Sequence, residues 1–107
     1  MSHGKWHKDT VHKPISDRLE QAGCAVLDLS GLGNGAPDSA CFLAGRFRVF
    51  EYKSDREISH RKKADHQMRK SQLAWIDKHP RFRPHYRVVT TWQEAFVEMG
   101  LFNQGGV

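Results

Sequence analysis

Hydrophobic and charged residues alternate over most of residues 46–53, with one adjacent hydrophobic pair at Val49 and Phe50. Successive side chains of a β-strand point to opposite faces of a sheet, so this segment predicts a strand in which Val49, Glu51 and Lys53 share one face. A hydrophobic run over residues 39–44 predicts a second strand directly before it. The two predicted strands flank Gly45 and therefore form a candidate hairpin.

The same reasoning predicts three helices and two further strands. Pro14 suits a first helical turn and Gly23 suits the position after a helix end. Thr91 and Glu94 have the spacing of a capping box at the start of the last helix. The expected elements are a helix at 14–22, strands at 24–29, 39–44 and 46–53, a helix at 68–78, a strand at 85–90 and a helix from 91 to 100. The predicted fold class is α/β, with the order α-β-β-β-α-β-α.

Three segments are predicted to be loops. Residues 30–36 are rich in glycine but lack the nucleotide-binding spacings, so we expect tight turns near a site and no nucleotide cofactor. Residues 54–69 are highly charged with little apolar content, which predicts a basic loop. Residues 79–84 are interrupted by two prolines and are also expected to be a loop.

A two-residue turn at residues 44–45 would fix how the two hairpin strands pair. Leu43 would lie opposite Arg46, and Asp38 would fall directly opposite Glu51. Directly opposed side chains have Cβ atoms roughly 4.5–5.5 Å apart. Two carboxylates at that separation repel each other unless a cation bridges them, so this register predicts a cation site.

Composition describes one small basic domain. The 107 residues are 38% hydrophobic, which suffices for a single core, and the formal net charge is +5. A basic excess favours an anionic partner, most often nucleic acid. Cys24 and Cys41 form no CxxC pair and are expected to be buried thiols.

We expect residues 11–102 to form the domain, between a polar N-terminal tail (1–10) and a C-terminal tail (103–107). The longest uncharged runs are broken by polar residues and glycines, and the first thirteen residues carry charges where a signal peptide needs an apolar stretch. The expectation is a cytoplasmic protein with no membrane partner.

Asp38, Glu51 and Lys53 are the residue types that metal-dependent phosphodiester hydrolysis uses. Hard carboxylate oxygens bind Mg²⁺, which keeps several waters and accepts phosphate oxygens. The metal polarises the phosphodiester and lowers the pKa of a bound water, while a lysine helps to position or activate that water. An EXK tripeptide alone is very common, and ordinary surface charges on a hairpin edge are the alternative.

In these segments the chain resembles the PD-(D/E)xK nuclease superfamily, and more closely the small phage-type VRR-NUC (virus-type replication-repair nuclease) domains. The resemblance runs from about residue 9 to residue 100 and rests on the order and spacing of the segments together. The matching segments are residues 21–26, Gly35-Ala-Pro-Asp38, Gly45-Arg46, Phe50-Glu-Tyr-Lys53, Ser71-Gln-Leu-Ala-Trp75 and residues 88–95. The resemblance implies a nuclease core with a mixed central sheet flanked by helices.

The resemblance also implies roles for individual residues. Asp38 and Glu51 would be ligands of Mg²⁺ or Mn²⁺, and the backbone carbonyl of Tyr52 would supply a further metal oxygen. Lys53 would be the catalytic lysine. Gln72 matches the glutamine that opens the following helix in this family, and it fits an active-site hydrogen-bonding role, with a helix-surface glutamine as the alternative.

The chain departs from the superfamily at the first helix, which often carries a further acidic residue. The register set by residues 21–26 puts that position near His12 or Pro14, where no acid stands. His12 is therefore a candidate metal or water ligand. Asp17 is the alternative if the helix is rotated. The departure bears on metal affinity and on the presence of a second metal.

Basic residues that follow the EXK strand predict a nucleic-acid-binding surface, with a solvated loop as the alternative. They are Arg56, Arg61, Lys62, Lys63, Arg69 and Lys70, with Arg81, Arg83 and Arg87 as an extension. The seven histidines lack a zinc-ligand spacing, so no zinc site is expected. Trp75, Trp92 and Phe96 are expected to lie in the core rather than to stack on bases.

These features together predict a Mg²⁺- or Mn²⁺-dependent endonuclease that hydrolyses DNA and, as the resemblance implies, leaves 5′-phosphate and 3′-hydroxyl ends. Small members of the family are associated with branched DNA, including four-way junctions, and with homodimers. A homodimer is expected because a two-fold junction needs two symmetric sites. One alternative is a nucleic-acid-binding module that does not cut, since the first-helix acid is missing. Another is a ribonuclease.

Overall fold

The computed structural model describes residues 13–54 and 70–102, and a four-stranded β-sheet lies at its centre. In chain order the elements are helix α1 (residues 13–21), strand β1 (Ala25–Asp28), a 3₁₀ turn (Ser30–Leu32), strands β2 (Ser39–Leu43) and β3 (Arg46–Tyr52), helix α2 (Lys70–Lys78), a 3₁₀ helix (Pro80–His85), strand β4 (Tyr86–Val89) and helix α3 (Trp92–Glu98). The strands lie in the order β1-β2-β3-β4, with β3 and β4 parallel and the other neighbours antiparallel. The predicted α/β class with a mixed sheet and flanking helices is confirmed.

The turn between β2 and β3 has the predicted two-residue form. Ala44 and Gly45 both have positive φ, 48° and 83°, which is the sign pattern of the type I′ turns that join antiparallel strands tightly. Leu43 pairs with Arg46, as expected from this turn. The hairpin therefore sets which side chains of β3 face which side of the sheet.

The far end of the hairpin corrects one expectation. The β2–β3 ladder ends with Ser39 opposite Phe50, so Asp38 is not the ladder partner of Glu51. The backbone N–H of Asp38 instead donates to the carbonyl of Phe50, at 2.8 Å. The regular register fails here because Asp38 also uses its side chain to bond the backbone of Tyr52.

Two hydrophobic clusters fill the two faces of the sheet. The cluster on the α1 face contains Ile15, Leu19, Cys24, Cys41, Phe50, Tyr52, Val89, Ala95 and Met99. The cluster on the α2 face contains Ala40, Val49, Ile76 and Tyr86. The two faces of β3 thus separate as its alternation predicts. Both cysteines are buried and unbridged, which confirms the expectation for them.

Two segments outside the helices and strands differ from expectation. Residues 79–84 were expected to be a loop, but Pro80–His85 forms a 3₁₀ helix, because Pro80 stands at its start with a backbone angle already suited to a helix. In the glycine-rich segment, Asp28 Oδ1 accepts hydrogen bonds from the backbone N–H and the hydroxyl of Ser30, and this local turn leads into the short 3₁₀ turn. The predicted basic loop lies almost wholly outside the described residues, which omit 55–69.

The capping box at α3 also differs in one detail. The Thr91 hydroxyl accepts from the Glu94 backbone N–H at 3.1 Å, as predicted. The Glu94 carboxylate accepts from the backbone N–H of Thr90, one residue earlier than the standard box has it. Trp75, Trp92 and Phe96 were expected in the core, and the structure shows them partly buried and packed against the two clusters.

Candidate active site

Two oppositely charged side chains are buried at the end of β3 on the α2 face. Glu51 is 8% exposed and Lys53 is 2% exposed, although such residues are almost never buried unless they are paired. Lys53 Nζ lies 3.7 Å from Glu51 Oε2, which makes them a buried ion pair. The alternation predicted from the sequence therefore brings Glu51 and Lys53 to one place.

Gln72 joins this pair from helix α2. Its Nε2 donates to Glu51 Oε2 at 2.7 Å, and its side chain is buried with that of Ile76 on the inner face of the helix. The glutamine thus lies where the sequence predicts, on an inward helix face and against a site carboxylate. Glu51 Oε2 accepts from Gln72 while it faces the Lys53 ammonium, so the carboxylate is held from two directions.

Asp38, the residue before strand β2, bonds to the backbone of strand β3. Its Oδ2 accepts from the backbone N–H of Tyr52 at 2.8 Å, while its own N–H donates to Phe50. These two bonds lie on either side of Glu51 along the β3 backbone. They hold Asp38 beside Glu51 even though the two residues do not form a ladder pair.

Gly35 explains how helix α2 comes so close to the hairpin. Its φ is +84°, and a Cβ added to it would collide with the backbone carbonyl of Ser71 at the start of α2. A side chain at this position would therefore push the first turn of α2 outwards. The glycine-rich segment lies against the residue before Gln72, which is the tight approach near a site that its composition suggests.

Tyr86 is a site residue that the sequence reasoning missed. It belongs to the α2-face cluster, it is 8% exposed, and β4 places it opposite Val49 in the parallel ladder. Burial raises the pKa of the Tyr86 phenol well above its ordinary range, and the carboxylates of Glu51 and Asp38 raise it further. Both carboxylates therefore act on one buried hydroxyl. No local pattern marks Tyr86, because its position depends on the pairing of β3 with a distant strand.

A second tyrosine lies on the opposite face of the same strand. The Tyr52 hydroxyl hydrogen-bonds the Ser39 hydroxyl at 2.6 Å and the Ser16 hydroxyl at 3.2 Å. Burial raises the pKa of Tyr52 to about 12, although these two hydrogen bonds oppose the rise. This chain of hydroxyls connects α1 to the back of the strand that carries Glu51.

Several other predicted site residues are not brought to this site by the described part of the structure. His12, Arg56, Arg61, Lys62, Lys63 and Arg69 lie outside the described residues. Lys70 is exposed at the first described position of α2. The role of the Tyr52 carbonyl as a metal ligand stays a prediction.

The alternative placement of Asp17 at the site is wrong. Asp17 forms a surface ion pair with Lys13, at 3.3 Å, because residues four apart are neighbours on a helix.

Among the basic residues expected to extend the nucleic-acid surface, Arg83 pairs with Asp77 at 2.8 Å and Arg87 pairs with Glu98 at 3.0 Å. Arg81 is exposed.

The donor set indicates which cation the site suits. Within residues 13–54 and 70–102, no three His, Cys, Asp or Glu side chains are grouped as a metal cage. Mg²⁺ needs no such cage, because it is usually held by one or two carboxylates and keeps several waters. Asp38 and Glu51 supply the ligand type that a hydrated Mg²⁺ or Mn²⁺ ion takes.

No helix within the described part of the chain is long and apolar enough to cross a membrane.

No family model matches the chain, and searches of the curated proteins and of the solved structures return no match.

Proposed function

We propose that the protein is a divalent-metal-dependent endonuclease that hydrolyses DNA phosphodiester bonds. One observation carries the proposal: Glu51 is held between the Gln72 amide at 2.7 Å and the buried Lys53 ammonium at 3.7 Å, with Asp38 bonded to the strand on either side of it. The resemblance to the PD-(D/E)xK superfamily and its small VRR-NUC domains implies an active-site role for these four residues.

In this proposal each residue has a separate task. Asp38 and Glu51 hold Mg²⁺ or Mn²⁺, which when bound polarises the phosphodiester and lowers the pKa of a bound water. Gln72 fixes the orientation of Glu51 through its amide. Lys53 positions the attacking water and offsets negative charge at the phosphate. The water oxygen bonds to phosphorus and loses a proton to solvent as the bond to the 3′ oxygen breaks. The 3′ oxygen takes up a proton from solvent, which leaves a 5′-phosphate and a 3′-hydroxyl.

The direct test is cleavage of labelled DNA by the full chain with Mg²⁺ or Mn²⁺. Substrates are a four-way junction, a linear duplex and a single strand, with RNA versions beside them. Asp38→Asn, Glu51→Gln and Lys53→Ala are each expected to lower the cleavage rate on the order of 100-fold or more. Circular dichroism checks that each variant is folded.

Two control variants match these changes in charge. Asp77→Asn and Lys78→Ala remove an acid and a lysine from the exposed side of α2, where the described partner of Asp77 is the exposed Arg83. Exposed ion pairs contribute little, so both controls should cut at close to the native rate. The proposal fails if the native chain cuts none of the DNA forms. DNA binding without cutting would identify a binding module, and cutting of RNA alone would identify a ribonuclease.

We further propose a homodimer that acts on branched DNA inside the cell. A two-fold-symmetric junction needs two symmetric sites, and each chain carries one Glu51–Lys53 pair. Sedimentation velocity at the concentration of the cleavage assay should show a dimer. A monomer alone, with junction cutting intact, would rule out paired incision by a stable dimer.

A further inference from the structure

The Tyr86 hydroxyl is a polar group with an unusual environment. It is fully buried in a residue that is 8% exposed. Within residues 13–54 and 70–102 it makes no hydrogen bond of ordinary length and angle, although the Glu51 carboxylate lies near enough to act on it as an acceptor. Buried polar groups nearly always have a partner, and a partner is costly to lose, so a hydroxyl of this kind calls for an explanation.

The surroundings of this hydroxyl are acidic. Glu51 and Asp38 both act electrostatically on it and favour its protonated form. A neutral phenol can donate a hydrogen bond and also accept one, whereas an ionised carboxylate only accepts. The hydroxyl is therefore a donor that stands beside the two carboxylates proposed to hold a cation.

The other tyrosine shows that the fold can satisfy a buried phenol. The chain has two tyrosines, and the Tyr52 hydroxyl bonds both Ser16 and Ser39 on the opposite face of the sheet. Tyr86 packs as deeply, against Val49 and Ile76, but its hydroxyl has no such bonds among the described residues. The contrast favours a partner that arrives with a ligand.

We infer that the Tyr86 hydroxyl hydrogen-bonds a water molecule of a hydrated divalent cation bound by Asp38 and Glu51. This inference rests on the proposed function. Mg²⁺ keeps several of its waters in protein sites, and those waters need acceptors and donors around them. Groups that orient a metal's inner ligands typically change metal affinity when they are removed. Tyr86 is thus a positioning residue for the cation and its water.

The first test measures Mn²⁺ binding to the full chain without DNA, by isothermal titration calorimetry. Tyr86→Phe, which removes only the hydroxyl oxygen, should weaken Mn²⁺ binding on the order of tenfold. Ser16→Ala removes a hydroxyl from the opposite face and should leave Mn²⁺ affinity within about twofold of native. Equal Mn²⁺ affinity in native and Tyr86→Phe would overturn the inference and leave the proposed function standing. Absence of Mn²⁺ binding by the native chain would overturn both.

The melting temperature of the metal-free Tyr86→Phe protein distinguishes a positioning role of the hydroxyl from a structural one. Because the Tyr86 hydroxyl makes no hydrogen bond of ordinary geometry to the described residues, its loss should lower the melting temperature of the metal-free protein less than loss of the Tyr52 hydroxyl does. Tyr52→Phe, which loses two hydroxyl partners, should melt at a lower temperature. A Tyr86→Phe protein that melts as low as Tyr52→Phe would show a structural role and overturn the inference.

A second test needs no variant of Tyr86. Because the chain has two tyrosines, ¹³Cζ-labelled tyrosine gives two signals in the native protein. Titration with Mg²⁺ should shift the Tyr86 signal with the affinity that calorimetry measures, while the Tyr52 signal moves less. A Tyr86 signal that stays in place as Mg²⁺ saturates the protein would overturn the inference.

Discussion

The Asp38 carboxylate takes the place of a backbone acceptor for Tyr52. Its Oδ2 accepts the Tyr52 N–H at 2.8 Å, just beyond the last regular pair of the β2–β3 ladder. The side chain thereby extends strand β3 for two residues past that pair. Asp38 therefore has two separable properties, an acceptor that completes the strand and a negative charge beside Glu51.

Asparagine and alanine at position 38 should separate these two properties. Asp38→Asn keeps a carbonyl oxygen as acceptor, so its free energy of unfolding should stay within about 1 kcal/mol of native, while Mn²⁺ binding is lost. Asp38→Ala removes the acceptor and should cost about 1–3 kcal/mol more than Asp38→Asn. Urea denaturation and calorimetry measure the two effects. Equal destabilisation by both variants would show that the strand end depends on the charge.

The buried pair of Glu51 and Lys53 should show strong energetic coupling. Lys53→Met leaves a buried carboxylate without its cation, and removal of one partner of such a pair costs roughly 3–5 kcal/mol. Adding Glu51→Gln should restore most of that loss, because the glutamine is neutral and still accepts from Gln72. A double-mutant cycle from urea denaturation gives the coupling free energy. Additive effects would mean that the two charges do not stabilise each other.

Gly35 and Gly45 provide a matched test of the α2 approach. Both have positive φ, 84° and 83°, so alanine strains the backbone at either position by roughly 1–2 kcal/mol. A Cβ at Gly45 meets nothing within 4 Å, whereas one at Gly35 collides with Ser71. Gly35→Ala should therefore lower the free energy of unfolding by about 1–3 kcal/mol more than Gly45→Ala.

The same pair of variants also bears on the site. If Gly35→Ala moves the first turn of α2 outwards, Gln72 leaves Glu51 and Mn²⁺ affinity falls, while Gly45→Ala keeps native affinity. Thermal denaturation and calorimetry measure both quantities. Equal loss of stability in the two variants would show that α2 moves aside without cost.

The features that sequence reasoning predicted are those that local patterns encode. The alternation along β3 requires Glu51 and Lys53 to share a face, because side chains of a strand alternate between faces. The turn at Ala44 and Gly45 follows from the few residues that tolerate its backbone angles. The spacing of residues along helix α2 predicts that Gln72 lies on its inward face. Each of these predictions needs only neighbouring residues.

The features that sequence reasoning missed depend on contacts between distant segments. Tyr86 meets Glu51 and Asp38 because β4 pairs in parallel with β3, and parallel pairing leaves no local signal of its register. A Cβ at position 35 would collide with the Ser71 carbonyl, and this collision depends on the position of helix α2 in the fold. Asp38 stands beyond the last ladder pair, where its side chain accepts the Tyr52 N–H, and a pairing rule based on residue numbers ignores such side-chain acceptors.

Alkaline pH should destabilise the protein through Tyr52. Burial raises the pKa of this phenol from 10 to about 12, even though the hydroxyls of Ser16 and Ser39 favour the phenolate. Below pH 10 the phenol is neutral in the folded and unfolded states alike, so its contribution to stability is fully present. As the pH rises from 10 towards 12, the unfolded chain loses this proton and the folded chain keeps it. The free energy of unfolding should fall by roughly 2–3 kcal/mol over that interval because of Tyr52 alone.

Comparison with Tyr52→Phe isolates this contribution. Phenylalanine has no proton to lose, so the variant lacks the part of the alkaline decline that belongs to position 52. The thiols of Cys24 and Cys41 and the phenol of Tyr86 also have raised pKa values, but they are present in both proteins and their effects cancel in the difference. Urea denaturation at intervals from pH 7 to pH 11 should show the native advantage constant up to about pH 9 and shrinking above pH 10. An advantage that stays constant to pH 11 would mean that the Tyr52 phenol ionises as easily in the folded chain as in the unfolded one.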